Sequence, residues 1–293
     1  MLDSPFLARL LAGIPLILDG ATGTNLQTRG LPAGSPSDVW ALDRPEEILR
    51  LHRDFLQAGS DIILTDTFGS SKLHLAHAGL ENRFEETNRG AVALAKQAAA
   101  DFGALVAGSI GPLGEMLDPM GPLSLATAEA EFAGQARLLV EAGVDLLVVE
   151  TQFDLNEAAA ALRAIRSVCE LPVVVSFSYD RGTRSMMGVK PAQMAQALNQ
   201  AGATALGINC GRSLEDNLKA LMELRAATSL PIWFKPNAGL PQTTPDGRTI
   251  YTVDPAAMAA AVPGWLEAGA ALLGGCCGTS PEHLAAIARA AKA

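Results

Sequence analysis

Three of the four cysteines stand where strand ends could bring them together around one ion. Cys210 closes the apolar run 204–210, and the adjacent pair Cys276-Cys277 follows the apolar run 270–275. Three sulfurs with no histidine beside them suit a soft metal, and Zn²⁺ is the commonest such ion. Three protein ligands leave one tetrahedral position open, the pattern of a catalytic rather than a structural zinc. An incoming thiol could fill that position and lose its proton, since the metal lowers a thiol pKa from about 8.5. An ion already carrying three thiolates is electron-rich, so it activates water poorly. It should leave a fourth thiolate nucleophilic enough to attack an electrophilic methyl group. The plain alternative is that the cysteines are small core residues, as free cysteines often are. That alternative fits Cys169, which lies between a helical stretch and Leu171-Pro172. It fits Gly274-Gly275-Cys276-Cys277-Gly278 poorly, because flanking glycines suit close backbone approach rather than dense packing. A disulfide between adjacent cysteines would be strained.

Two carboxylates, Asp19 and Glu150, also close apolar runs. A buried carboxylate is costly unless it meets a cation. That cation is either the ammonium of an amino-acid substrate or a protein side chain such as Lys235. A glycosidase would also use paired carboxylates, but it would leave the cysteines idle. Gly20-Ala21-Thr22-Gly23-Thr24-Asn25 lacks the ending of a phosphate loop and the spacing of a dinucleotide fingerprint. It reads as a tight turn whose N–H groups face a substrate carboxylate. The other polar residues at strand ends are Thr65 to Thr67, Ser109, Ser176, Asn209 and Lys235 to Asn237. The histidines, His52, His74, His77 and His283, fall in or beside helical stretches and read as packing or surface residues.

The elements that must deliver these groups repeat one pattern. Apolar runs occur at 15–19, 61–66, 104–109, 144–150, 172–177, 204–210, 231–236 and 270–275. Runs of this length without alternation suit strands covered on both faces. Between them lie stretches with helical spacing at 45–58, 83–100, 127–142, 156–168, 191–201, 214–227, 255–268 and 281–292. Asp254-Pro255 and Ser280-Pro281 are helix starts, and Ala142-Gly143 and Ala268-Gly269 are helix ends that introduce the next strand. Such βα units, with no second compositional regime, predict an α/β chain folded as a (β/α)₈ TIM barrel, one domain over 1–293. The long segments 111–124 and 237–253 follow strands and read as lids or substrate walls.

Composition sets the outer limits. Hydrophobic residues make up 49% of the chain and aromatics only 5%, so a large core must be built from Ala, Leu, Val and Ile. A net charge of −9 argues against nucleic acid or an anionic membrane as partner. No apolar run approaches the roughly 20 residues that span a bilayer. The apolar stretch 10–18 contains Pro15 and runs into Asp19-Gly20 without a cleavage site, so it reads as a strand and not a signal peptide. A cytoplasmic location is expected, where cysteines stay reduced and serve metals or catalysis.

Four motifs together carry a resemblance that covers essentially the whole chain. They are 19–24 (Asp-Gly-Ala-Thr-Gly-Thr), Glu150-Thr151, 207–210 (Gly-Ile-Asn-Cys) and 274–279 (Gly-Gly-Cys-Cys-Gly-Thr). The chain resembles the homocysteine S-methyltransferase family. Through 236–241 and 108–112 it is similar above all to the homocysteine-binding module of cobalamin-dependent methionine synthase. The resemblance implies zinc held by Cys210, Cys276 and Cys277, and methyl transfer to homocysteine to give methionine. It implies that the substrate ammonium meets Asp19 and Glu150, with backbone at Gly20 and Ala21 helping. It implies further that Asn237 occupies the fourth zinc position until the thiol displaces it, and that Thr65 and Phe68 line the pocket. Ser109 and Asn209, inside the same motifs, are assigned as further substrate contacts. Gly69 and Thr151 stand where the betaine-using branch carries tyrosines, which puts betaine in doubt, although Trp40 could contribute to a cage for it. The expected donor is a small sulfonium compound or a methylated corrinoid protein. The alternatives are a homocysteine-presenting subunit of a split synthase, or methyl transfer to another thiol.

Overall fold

The structure, a computed structural model, describes residues 4–32, 34–244 and 249–292. Eight parallel strands form one sheet: β1 (Leu16–Ile17), β2 (Ile62–Leu64), β3 (Leu105–Ile110), β4 (Leu146–Gln152), β5 (Val173–Phe177), β6 (Ala205–Cys210), β7 (Ile232–Pro236) and β10 (Ala270–Leu273). The short antiparallel pair β8 (Gln242–Thr243) and β9 (Thr249–Ile250) lies between the last two. Each barrel strand pairs with its sequence neighbour, β10 pairs β1, and a parallel bridge from Leu18 to Ile62 joins the ends of the sheet. This is the expected TIM barrel. Every apolar run foreseen in the sequence becomes a barrel strand.

Side chains alternate across the barrel wall and build two separate cores. Ile17, Ile63, Val106, Leu147, Val173, Leu206, Ile232 and Leu273 face the helices and join a large outer cluster. Leu16, Ile62, Leu105, Leu146, Val174, Ala205, Trp233 and Leu272 fill the barrel's interior. The helix Pro5–Leu11, which the sequence reading left out, inserts Phe6 into this interior cluster. A strand fully covered on both faces has no polar alternation to show, which is why the runs read as continuous.

Continuing the inward parity toward the strand C-termini changes its chemistry. The inward layer ends in Asp66 after β2, Ser109 on β3, Glu150 on β4, Ser176 on β5, Asn209 on β6 and Lys235 on β7, all buried. Below this layer the interior is apolar. The polar layer therefore forms the floor of a mouth at the C-terminal end, where TIM barrels carry their sites.

The two long segments differ. Residues 111–124 pack inward through Leu113, Leu117 and Leu123, and the Leu113 N–H donates to the Glu157 carboxylate at 2.8 Å. That segment supplies nothing to the mouth, contrary to its reading as a substrate wall. The segment 237–253 does supply Thr249 and Tyr251; its residues 245–248 lie outside the described ones.

Candidate metal and substrate site

Strand alternation alone would turn Cys210 away from the mouth, because Asn209 already points inward. Cys210 instead adopts φ 61°, and Thr151, after the inward Glu150, adopts φ 60°. Left-handed backbone at a non-glycine residue costs about 1–3 kcal/mol and clusters at functional sites. Here it places consecutive residues on one face, so Glu150 and Thr151 both line the pocket, as does Cys210. The strain has a visible purpose.

On the opposite side, the glycines around the cysteine pair allow close approach. A Cβ at Gly274 would lie 2.6 Å from Leu18 Cβ and 2.7 Å from the Asp19 carbonyl oxygen. A Cβ at Gly275 would overlap Thr279, and one at Gly278, which has φ 81°, would overlap the Tyr251 ring. The result is a cluster in which the sulfurs of Cys210, Cys276 and Cys277 all lie within 4.8 Å of one another. The Cys210 and Cys276 sulfurs are 3.1 Å apart. Without a cation, sulfurs this close cannot all be thiolates. Hydrogen bonds to Cys276 and Cys277, then burial, push Cys210 well above the usual thiol range. Accepting from Cys210 and Cys276 pulls Cys277 down to about 3.

The pocket holding these sulfurs measures about 530 Å³ and is also lined by Gly20, Ala21, Thr65, Phe68, Ser109, Glu150 and Lys235. The Ser109 hydroxyl donates to Glu150 at 2.6 Å. Burial raises the Glu150 carboxyl to about 7, against the opposing pull of Lys235. The Lys235 ammonium donates to Asp19 Oδ1 at 2.6 Å, and Asp19 Oδ2 accepts from the Leu64 N–H at 2.7 Å. Burial alone would lower the lysine, but Asp19 and Glu150 outweigh it and hold it above its usual range.

Several assignments change on this geometry. Asp19 sits behind the wall with both oxygens engaged, so the protein cation foreseen as its alternative partner is the one present. Ala21 donates its N–H to Thr279, at 3.3 Å to the carbonyl and 3.2 Å to the hydroxyl, and has none left for a substrate. Gly20 is small because of packing: a Cβ there would lie 2.7 Å from Phe55. Trp40 is buried under the Arg44 guanidinium, 5.7 Å from its ring centroid, and does not line the pocket. Asn209, 0% exposed, lies behind the cysteines and not against the substrate space. Its Nδ2 donates to the Thr151 hydroxyl at 2.7 Å and points to the Cys210 and Cys276 sulfurs at 3.7 and 3.8 Å. Its Oδ1 accepts from the Thr151 N–H and the Ser176 hydroxyl. Asn237 donates to the Gly211 carbonyl at 2.9 Å, while its buried Oδ1 has no partner among the described residues. Tyr251, which lines the pocket with Cys276 and Cys277, was not foreseen; no local pattern marks it.

Asn209 is therefore a positioning residue. Asn209→Leu should weaken metal affinity by roughly 10–100-fold, the usual cost of losing a supporting group behind a metal ligand. Chelator competition measures it; an unchanged metal affinity would remove the role.

A closed barrel with three cysteines at its mouth that could hold a metal, a buried carboxyl beside them and room for a small molecule defines a barrel enzyme with a sulfur-rich site. A model of the homocysteine S-methyltransferase family matches residues 16–291, and the chain belongs to that family. It is 28% identical to methionine synthase of Mycobacterium tuberculosis (strain ATCC 25618 / H37Rv) over an alignment 294 positions long, covering 94% of this chain but only 24% of that protein. The chain thus spans about a quarter of that relative's length. The metallated form of the homocysteine methyltransferase MmuM from Escherichia coli superposes with a TM-score of 0.82 at 28% identity, covering 97% of this chain and 99% of that one. The apo form of the same protein gives 0.72 at 28% identity, covering 94% and 95%.

Proposed function

We propose that this barrel transfers a methyl group to the thiol of homocysteine, giving methionine, with Zn²⁺ held by Cys210, Cys276 and Cys277. One observation carries the reading: sulfurs from two strand ends, all within 4.8 Å of one another, share a pocket with a buried carboxyl. Zn–S bonds of about 2.3 Å in a tetrahedron put sulfurs roughly 3.8 Å apart, so the cluster needs only small adjustment to fit. The orphaned Asn237 Oδ1, on the residue whose N–H donates to the Cys210 carbonyl at 3.2 Å, suits a neutral fourth ligand that a thiol can replace. When bound, the ion supplies a position at which a thiol loses its proton yet stays nucleophilic.

The chain's own residues do the rest. Glu150 receives the substrate ammonium, and Ser109 fixes its rotamer. Thr65 accepts from the Ser109 N–H at 3.1 Å and keeps that strand end in place. Lys235, protonated and ion-paired to Asp19, stands beside the sulfurs and faces the substrate carboxylate across the same floor. Thr22 and Gly23, in the first turn of the helix Thr22–Thr28, offer N–H groups to that carboxylate from the other wall. Phe68 shields the reacting atoms from water.

The zinc-edge X-ray absorption spectrum should gain one sulfur neighbour and lose a light atom when homocysteine is added. A constant sulfur count would defeat direct thiol ligation. A second reading, that the chain presents homocysteine to a separate methylated corrinoid protein, is favoured by its similarity to a methionine synthase. Turnover by the purified protein with a small donor separates the two. Another thiol acceptor is excluded only if homocysteine outcompetes it. The reduced state such a cluster needs suits the cytoplasm, and among the described residues no helix is long and apolar enough to cross a membrane.

A further inference from the structure

We propose that Asp66 recognises the methyl donor, and that the donor it selects is a small cation, a sulfonium or quaternary ammonium compound. The proposal rests on the reading that this pocket methylates a thiol, and it assigns the half of the pocket which that reading leaves empty.

Asp66 continues the inward parity of Ile62 and Leu64 and lines the same pocket as the sulfurs, together with Ser37, Gln27 and Phe68. It is 3% exposed. Its Oδ1 accepts from the Ser37 hydroxyl at 2.9 Å, but its Oδ2 is buried without any partner. Behind it sits a second buried acid, Asp38, whose Oδ1 accepts from the Gly69 N–H at 2.8 Å and the Ser70 hydroxyl at 2.9 Å. Among the described residues neither carboxyl has an ion-pair partner. His74 lies near Asp38 and favours its charge, but nothing comparable faces Asp66; a buried acid left so is destabilising, and a structural role would be met at lower cost by Asn or Ser. A ligand cation removes the cost. Burial and the Asp38 charge hold the Asp66 carboxyl well above the usual range, so a cation entering the pocket takes the place of a proton. Phe68, 38% exposed, adds an aromatic face of the kind that attracts onium groups.

The chemistry makes use of this arrangement. In the transfer the bond from the onium atom to the methyl carbon breaks, and its electron pair stays on the departing sulfur or nitrogen. The homocysteine thiolate forms the new S–C bond with its own pair. One cation and one anion become two neutral thioethers, or a thioether and an amine. The product no longer attracts Asp66 and leaves. Because much of the positive charge is still on the donor at the transition state, Asp66 holds ground state and transition state nearly alike, so its loss shows in KM and not in kcat.

The test uses the zinc-loaded protein at saturating homocysteine, with S-methylmethionine, betaine and methylcobalamin as sulfonium, ammonium and uncharged donors. Asp66→Asn should raise KM for the cationic donor about tenfold or more, with kcat, zinc content and homocysteine affinity within about twofold. Asp38→Asn, which leaves the Asp66 charge in place, should change that KM less than about threefold. An unchanged KM, an equal loss with methylcobalamin, or a wild-type protein that uses methylcobalamin but neither cation would overturn the proposal while leaving thiol methylation intact. Should no donor turn over, the functional reading fails on its own, and calorimetry of S-methylmethionine binding decides the role of Asp66. Binding about tenfold weaker in the variant carries it; equal or absent binding ends it.

Discussion

Replacing Cys277 with alanine is expected to remove the metal and the activity together while leaving the barrel folded. Zinc held at a thiolate-rich site is bound with apparent free energies of about 10–16 kcal/mol. One ligand of four is worth roughly a quarter of that, about 3–4 kcal/mol or a few hundredfold in affinity. The remaining Cys210 and Cys276 come from different strands, and Cys210 is held in a left-handed conformation whose cost the metal helps to offset. Dialysed Cys277→Ala protein should therefore contain little zinc, and turnover should fall by about a thousandfold or more, since the thiol then keeps its proton at neutral pH. Cys277 lies beyond the end of β10 and contributes no strand hydrogen bond; the far-ultraviolet circular dichroism and melting temperature of the metal-free form should match those of metal-free wild type. Cys169→Ala, on the outer face, serves as the control. Full activity in a zinc-free variant would end the metal assignment.

The barrel was open to reading because each strand is covered on both faces, so its apolar run stands out whatever its neighbours are. The cysteine cluster was legible for a related reason: Cys210 and the 276–277 pair both sit at strand ends, and a closed ring brings strand ends together. What the sequence hid depends on backbone conformation and on pairing across great separations. Nothing local announces that Cys210 and Thr151 take positive φ, yet those two angles decide which side chains reach the mouth. The Asp19–Lys235 ion pair joins residues 216 positions apart, and only the closure of β1 against β10 makes it. Asn209 was assigned to the substrate from its motif; it points inward beneath the cysteines, and the positive φ of Cys210 puts the sulfur and not the amide against the pocket. The segment 111–124 was read as a lid or substrate wall from its length and composition, but Leu113, Leu117 and Leu123 anchor it outside the pocket lining. Asp66 was visible at a strand end, yet its missing partner was not.

Glu150→Gln should separate substrate binding from stability through pH. The Glu150 carboxyl, ordinarily near 4.5, is held at about 7 because burial disfavours its charged form. A carboxyl raised in this way contributes stability that is fully present below pH 4.5 and is lost as pH rises through about 7. The gap corresponds to roughly 3 kcal/mol. Glutamine carries no charge to desolvate, so at pH 8 the variant should melt a few degrees higher than wild type and at pH 5 about the same. Substrate binding runs the other way. An ammonium arriving beside the carboxyl favours its ionised form, so wild-type affinity for homocysteine should rise from pH 6 to pH 8 as the proton becomes easier to displace. The thiol also loses a proton on binding, but that contribution is common to both proteins and cancels in their ratio. The ratio of variant to wild-type Kd should therefore grow with pH, from about tenfold at pH 6 toward a hundredfold at pH 8. Calorimetry in two buffers of different ionisation enthalpy should show wild type releasing about half a proton more than the variant near pH 7. A Kd ratio that stays flat across this window would move the ammonium away from Glu150, while a melting difference of the stated sign would still stand for the buried charge alone.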